Sequence, residues 1–347
     1  MKSFFFLVAF FSFLLFSCKN EDDSPSSEPL KSIFVAYPAN SLGDRAYFDS
    51  ISLALNKAAI KNSMQISEIS VENDKDADII TFFLLLSASE ENSFCIFTSS
   101  YFIPFIFSED NQELLNSVKS SILVIEADET TSPFICTQKV HFYGVSYEAG
   151  VLTDSLISED EYCDIIIADP ELQTLKDATQ GFKEGFESEN RVGKINQIPL
   201  NQLAPDSPFS PHLSDTLYII YKIALIGKIQ ETFPSIIFPL CGGLTHGLLR
   251  INREYEENSF YTIGISVDMS PYSKMVPFSV VKNMDKILME SVEQWNKNSL
   301  PHHKEFGLEG DYTKIVIAKS YQETFQEKLN QIHEDAIQKE KEYYEKK

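Results

Sequence analysis

Residues 32–48 read SIFVAYPANSLGDRAYF, and this stretch decides the fold. Its first part, Ser32–Tyr37, is an apolar and β-branched run that predicts a buried strand. Gly43 marks a turn, and residues 44–60 then carry apolar side chains at helical spacing, which predicts a helix. A strand followed by a turn and a helix is the opening unit of a parallel α/β sheet.

The alternation of strand and helix continues along the chain and starts again after His141. Further strands are predicted over residues 64–71, 94–98, 122–125, 164–168, 235–240 and 261–265, and helices over 77–86, 172–186 and 213–229. Such alternation is typical of parallel sheets covered by helices on both faces. The sequence therefore predicts an α/β protein with two doubly wound parallel-sheet lobes and a ligand cleft between them.

The two predicted lobes exchange segments of chain. Lobe one comprises residues 31–142 and about 273–299, and lobe two comprises residues 143–272 and about 300–320. A chain of this length usually needs more than one hydrophobic core. Residues 321–347 form a strongly charged helical pattern with few apolar anchors, so we expect a helix that packs on a lobe and then frays.

The N-terminal segment has the pattern of a bacterial lipoprotein leader. Lys2 supplies a positive charge, Phe4–Phe16 is almost wholly apolar, and Cys18 follows a small residue. An apolar run of about a dozen residues is too short to span a bilayer and is typical of a signal peptide. Residues 1–17 therefore predict a lipoprotein signal peptide with lipidation at Cys18, and an ordinary secretory signal is the alternative.

The segment after the leader is polar and acidic. Residues 18–30 are rich in serine and acidic residues, which predicts a flexible tether. The run Lys19–Asp23 resembles the acidic export signal of surface lipoproteins in Bacteroidetes-type bacteria, and a solvated linker explains it equally well. We therefore expect a lipid-anchored protein of the bacterial cell envelope, at the outer membrane or cell surface rather than the inner membrane.

Charge and cysteine spacing exclude several classes of function. The net charge is −22, from 51 acidic residues against 29 lysines and arginines, which disfavours nucleic acid as a partner. The cysteines beyond Cys18 form no CxxC pair, and His302-His303 lacks a third ligand at helical spacing, so no metal site is expected. No nucleophile elbow or phosphate loop is present, and we expect neither a cofactor nor enzyme activity. The disulfide state of Cys95, Cys136, Cys163 and Cys241 stays open at this point.

The residues that follow each strand are the candidate ligand contacts, because open parallel sheets bind ligands at the carboxyl ends of their strands. After the first strand these are Asp44, Tyr47 and Phe48, with helix capping as the alternative for Asp44 and core packing for Tyr47. The later strand ends add Ser99, Gly242, Gly243, Ser266 and Asp268. For Asp268, capping of the next helix is the alternative.

Several of these segments resemble the basic membrane protein (BMP) or PnrA-like lipoproteins. The similar segments are Asp44–Phe48, 142–152, 165–186, Cys241–Gly247, Ile263–Asp268 and Ser279–Asp285, and they occur in that family's order. Its members are nucleoside-binding components of uptake systems with a type I periplasmic-binding-protein fold. The resemblance implies this fold, a nucleoside-like ligand, an ABC permease as a candidate partner, and Lys282 as a ligand contact on a helix.

The sequence also departs from the family pattern. Phe48 stands where the family has asparagine, and Ser266 replaces an acid expected to hold ribose hydroxyls. Leu244 and His246 alter the glycine-rich turn. Losing a polar partner for a buried hydroxyl costs about 1–3 kcal/mol, so the resemblance implies the nucleoside less firmly than the fold. For Lys282, a solvated helix lysine is the alternative.

The sequence thus predicts a lipid-anchored solute-binding protein that closes two lobes on a small ligand for uptake. A nucleoside or a related purine or pyrimidine compound is the ligand that the resemblance favours. The alternative is a surface-exposed lipoprotein with the same fold and a changed ligand, acting in sensing or interaction. A nucleoside-processing hydrolase is a third hypothesis, supported only by the abundance of acidic residues.

Overall fold

Parallel strands dominate the part of the chain that the structure describes. The structure is a computed structural model, and it describes residues 30–118, 122–158, 161–188, 194–200, 212–227 and 234–347. The strands are β1 Ser32–Tyr37, β2 Gln65–Ser70, β3 Ser93–Phe97, β4 Ile122–Ile125, β5 Ile135–Val140, β6 Tyr162–Ile167, β7 Lys194–Pro199, β8 Pro234–Leu240, β9 Tyr261–Thr262, β10 Gly264–Ser266, β11 Phe278–Lys282, β12 His303–Phe306 and β13 Thr313–Ile317. The predicted signal peptide, Cys18 and almost all of the predicted tether lie outside the described residues.

Helices connect most of these strands. They are α1 Tyr47–Lys61, α2 Asp74–Ala88, α3 Ile103–Ile106, α4 Gln112–Ser117, α5 Tyr143–Asp154, α6 Gln173–Glu187, α7 His212–Ile226, α8 Thr245–Tyr255, α9 Met284–Asn296 and α10 Gln322–Glu345. Strands that run parallel need such crossover connections, since a short hairpin can join only antiparallel strands. The predicted alternation of strand and helix is confirmed.

The first sheet has six parallel strands in the order β12-β5-β4-β3-β1-β2. Its central strands β3 and β4 are buried along their whole length, as expected when helices cover both faces. Helix α9 belongs to this sheet, because the rings of Trp295 and Phe94 stack with 4.8 Å between centroids. Strand β12 falls within residues 300–320, the range expected for lobe two, yet it pairs with β5 in the first sheet. The division of the chain into lobes otherwise stays a prediction.

The second sheet has four parallel strands in the order β7-β6-β8-β9. Helices α5 and α6 pack closely together on it, with glycines at the contact. A Cβ atom on Gly181 would lie 2.2 Å from the backbone oxygen of Tyr143, and one on Gly185 would lie 2.1 Å from that of Tyr147. Only glycine allows this approach, which explains the glycine spacing in the sequence. Phe182 and Phe186 lie in the core beside it.

A small third sheet, in the order β10-β11-β13, completes the architecture. Strand β11 runs parallel to β10 and antiparallel to β13. The helix predicted over Ser279–Asp285 is therefore wrong in its first half: the chain is extended through Lys282, and α9 begins at Met284. Phe278 and Val280 are fully buried between two neighbouring strands, and this pairing prevails over any local helical preference.

Two further predictions need correction. The single strand predicted over residues 261–265 is two short strands, β9 and β10, which belong to different sheets. The C-terminal helix does not fray after its apolar anchors, because α10 continues to Glu345 and its end contacts the rest of the protein. Polar side chains make these contacts, and an apolar pattern could not reveal them.

Candidate functional site

A buried ion pair lies where the carboxyl ends of β4 and β11 meet. Lys282 is the last residue of β11, and its Nζ donates a hydrogen bond to Oε1 of Glu126, which directly follows β4. The two side chains are only 9% and 15% exposed. The alternative interpretation of Lys282 as a solvated helix lysine is therefore wrong. Charges buried to this extent need a partner of opposite charge, and Lys282 and Glu126 supply that partner to each other.

Two aromatic rings flank the ammonium group of Lys282. Its Nζ lies 4.8 Å from the ring centroid of Tyr47 and 5.0 Å from that of Phe142. The hydroxyl of Tyr47 also donates to Oε1 of Glu126 at 3.2 Å. Burial, and then the charge of Glu126, raise the pKa of Tyr47 well above its ordinary value. Tyr47 is thus a neutral hydrogen-bond donor in a site with one acid, one base and two aromatic faces.

Glu126 is the site residue that the sequence analysis missed. It holds a left-handed backbone conformation with φ of 57°, which is unusual for a residue other than glycine. Its second carboxylate oxygen, Oε2, is buried and has no hydrogen-bond partner among the described residues. The sequence could have indicated Glu126 as a candidate ligand contact, because it is the first residue after a correctly predicted strand.

Asp44 and Phe48 serve the start of α1. The carboxylate of Asp44 accepts hydrogen bonds from the backbone N–H groups of Ala46, Phe48 and Asp49, at 2.8, 3.1 and 3.1 Å. This is the capping alternative, and it occupies both oxygens. Burial raises the pKa of Asp44, although these three bonds oppose the shift. The ring of Phe48 packs edge-on against Tyr47 with 5.1 Å between centroids, and so supports it from the side.

Ser266, Asp268 and Ser99 follow other strands. Ser266 is buried and holds a left-handed φ of 66° at the end of β10. Asp268 is exposed, and its Oδ1 accepts from the backbone N–H of Ser270 at 2.9 Å, which is the capping alternative. Ser99 caps a short 3-10 helix by accepting from the N–H of Tyr101. Their roles as ligand contacts stay predictions.

The glycine-rich turn after β8 touches the loop before α1. A Cβ atom on Gly243 would lie 2.4 Å from the backbone oxygen of Asp44, so only glycine fits there. The neighbouring Gly242 has a positive φ of 55° and open space around its Cβ position. His246 lies 3.4 Å from the backbone oxygen of Arg45, and burial lowers the pKa of its ring. The turn after β8 belongs to the second sheet and the loop before α1 to the first; we call them the two rims of the predicted cleft, and these contacts join them.

Cysteines and histidines of the described chain form no reactive or metal-binding group. Cys95, Cys136, Cys163 and Cys241 are all free and buried. The residues that the structure describes contain no group of three metal-ligating side chains. His303 begins β12, and its ring bonds to the hydroxyl of Thr137 at 2.7 Å.

No helix of the described residues combines the length and the apolar character that a membrane span requires.

Comparison with solved structures identifies the fold. No protein-family model matches the sequence, and no curated protein matches it. A solute-binding protein of an ABC transporter system from Aeropyrum pernix K1 is similar over 90% of this chain and 86% of its own, with 12% identity and a TM-score of 0.67. An ABC transporter periplasmic solute-binding protein from Actinobacillus succinogenes 130z, solved with bound D-allose, covers 84% of this chain and 99% of its own, with 12% identity and a TM-score of 0.60.

A transcriptional activator of the comK gene from Bacillus halodurans is similar as well. It covers 87% of this chain and 97% of its own, with 12% identity and a TM-score of 0.63. Two of these three similar structures are solute-binding proteins of ABC transporters. Together these likenesses show that the chain has the type I periplasmic-binding-protein fold predicted from its sequence.

Proposed function

We propose that this protein is a lipid-anchored solute-binding protein that closes on a small polar ligand, a nucleoside or a related purine or pyrimidine compound, for uptake. One observation carries the proposal. At the meeting point of the strand ends, Glu126 offers a buried carboxylate oxygen that has no hydrogen-bond partner within the described part of the chain, next to the rings of Tyr47 and Phe142. A flat ligand with an N–H or O–H group would satisfy that oxygen and stack on the rings.

The choice of a nucleoside as the ligand rests on the resemblance to the BMP or PnrA-like family. That the chain belongs to this family stays a proposal. Uptake through an ABC permease is the corresponding role. Lipidation at Cys18 and a place at the outer membrane or cell surface rest on the leader sequence. Metabolic labelling with a fatty acid, compared between the natural chain and a Cys18→Ser variant, tests the anchor directly.

A surface lipoprotein with a changed ligand is the second candidate. The acid that the family places at position 266 is a serine here, and the segment after Cys18 is acidic. A hydroxyl binds a ribose hydroxyl more weakly than a carboxylate does. Protease treatment of intact cells distinguishes the candidates' locations, because a protein fully protected in intact cells cannot act on the surface.

Thermal unfolding with a panel of ligands tests the proposed function. The panel contains nucleosides and free bases, and also sugars, since one structural neighbour was solved with bound D-allose. We expect a nucleoside to raise the melting temperature, because a ligand that binds only the folded state stabilises it. If no purine or pyrimidine compound raises the melting temperature at millimolar concentration, the proposal of a nucleoside ligand is contradicted. If sugars alone raise it, the ligand is a sugar instead.

A matched pair of variants locates the binding. Glu126→Gln replaces one carboxylate oxygen of the site by an NH2 group and removes the charge that pairs with Lys282, so its ligand-induced shift is measured from the variant's own melting temperature without ligand. We expect this shift to be reduced or abolished. Asp285→Asn is the control, because Asp285 is a half-exposed acid whose partner is Lys57 on the surface. A shift that Glu126→Gln leaves unchanged places the ligand elsewhere.

A further inference from the structure

Helix α10 lies against the segments that cross between the two halves of the fold. We define the crossing segments as residues 141–144, which lead from β5 to α5, and residues 307–312, which lead from β12 to β13. Each leaves the six-stranded sheet and enters the other half of the protein. In a two-lobed binding protein, such segments are where the backbone rotates when the lobes open and close.

A single carboxylate on α10 binds both crossing segments. Oε2 of Glu340 accepts a hydrogen bond from the N–H of Gly144 at 2.8 Å, and Oε1 accepts from the N–H of Leu308 at 2.7 Å. Glu340 is only 5% exposed. A charge-assisted bond to a buried carboxylate is stronger than a neutral one, and here two such bonds hold two separate backbone segments at a fixed distance.

Residues that follow Glu340 attach the end of α10 to the rest of the protein. The ring of Tyr344 stacks on His141 with 3.6 Å between centroids, and the ring of Tyr343 stacks on Tyr143 at 4.2 Å. Both hydroxyls donate to Asp177 of α6, at 2.9 and 3.0 Å, and Lys347 pairs with the same carboxylate. The end of α10 therefore contacts both a crossing segment and helix α6 of the second half.

We propose that α10 is a strap across the hinge: Glu340 holds the two crossing segments at the separation seen in this structure and so sets the balance between open and closed lobes before any ligand binds. This inference rests on the proposed function, since it assumes lobes that open and close. Glu340 is a positioning residue, because it lies outside the ligand site and acts through the backbone of Gly144 and Leu308.

Distance measurements between two spin labels test the strap in the full chain without any ligand. Lys75 of α2 and Arg253 of α8 are exposed, lie in different halves of the fold, and are replaced by cysteine for labelling, with Cys18→Ser in every sample. The native cysteines of the described chain are buried and thus protected from the label. The label pair reports the separation of the lobes, which a merely local loss of stability would not change.

Glu340→Gln is the test variant, because its amide can accept from only one of the two N–H groups. We expect the ratio of open to closed molecules to rise by about fivefold, the ratio that corresponds to ~1 kcal/mol. Glu345→Gln, an exposed position on the same helix, is the control and should match the natural chain. A folded Glu340→Gln variant with the natural distance distribution overturns the proposal.

Tyr344→Phe covers the case in which Glu340→Gln does not fold. It removes one hydrogen bond to Asp177 and keeps the stack on His141. A smaller shift toward open molecules supports the strap, and an unchanged distribution overturns it. Because no ligand is present, a failed nucleoside panel and a failed strap are separate results.

Discussion

At the residue scale, the pair of Lys282 and Glu126 is the unit on which the site depends. Neither side chain is exposed enough for water to replace its partner. Breaking such a pair by removing one partner leaves a buried charge without compensation, and that costs more than the pair itself contributes. The same pair joins a strand of the third sheet to the end of a strand of the first.

Lys282→Met should therefore destabilise the protein strongly. We expect the free energy of unfolding to fall by about 3–5 kcal/mol, measured by urea denaturation at neutral pH. The double variant Lys282→Met with Glu126→Gln should recover part of this loss, because the uncompensated charge is gone. Lys57→Met is the control: its pair with Asp285 is half-exposed, and such pairs contribute about 0–1 kcal/mol. Equal losses for Lys282→Met and Lys57→Met contradict the account.

The sequence identified part of this site and missed the rest for a physical reason. Tyr47 and Lys282 were found because one follows the first strand and the other matches a family segment. Glu126 was available by the same strand-end argument and was overlooked. Phe142 could not be assigned, because its contact with Lys282 depends on how a crossing segment is placed against β11, which no local pattern records.

At the element scale, the turn between β8 and α8 decides how far the rims of the cleft can approach. Gly243→Ala should hold the rims apart, because its Cβ would meet backbone 2.4 Å away. We expect a larger radius of gyration by small-angle scattering and a weaker ligand-induced shift. Gly242→Ala is the matched control: it carries backbone strain of about 1–2 kcal/mol but meets nothing within 4 Å. An unchanged radius for Gly243→Ala would show that the rims do not touch in solution.

The packing of α10 on α5 should depend on pH. His333 bonds Glu148 at 2.7 Å, and this bond, opposed by burial and supported by the charge of Glu148, raises the pKa of His333. A raised folded-state pKa gives stability that is complete below the unfolded value of about 6.5 and is lost as pH rises through the folded value. Asp311 and Glu334 add in the same direction.

His333→Gln checks this dependence by urea unfolding at pH 5.5 and pH 9. We expect the variant to be less stable than the natural chain at the lower pH and closer to it at the higher one. The difference should not exceed about 1 kcal/mol, since a third of the His333 side chain is exposed. If the variant and the natural chain differ in free energy of unfolding by the same amount at both pH values, the ion pair between His333 and Glu148 is refuted.

Element prediction succeeded where the pattern is local. Strands β1 and β4 have the predicted bounds, because continuous apolar runs between turns identify them. Strand β11 was mistaken for helix because its pairing partners β10 and β13 are distant in the sequence. The end of α10 was expected to fray for a similar reason: its contacts with Asp177 bridge more than 160 residues.

At the scale of the whole molecule, one region of the fold carries the proposed function. The loops after β1 and β8 are in contact, so the carboxyl ends of a strand from each parallel sheet face each other, and parallel sheets bind ligands at such ends. The rims are in contact, and the helix α10 lies across the crossing segments. The ammonium group of Lys282 lies beside the rings of Tyr47 and Phe142 and is paired with Glu126.

The central claim is that the lobes close on a small ligand beside Glu126. A crystal structure of protein purified from its native host, without added ligand, tests it most directly. We predict continuous electron density for a flat molecule near the rings of Tyr47 and Phe142, with a polar atom of the ligand within hydrogen-bond distance of Oε2 of Glu126. Closed rims around a cleft filled entirely by the protein's own side chains, unchanged after soaking with millimolar nucleosides, would contradict the claim.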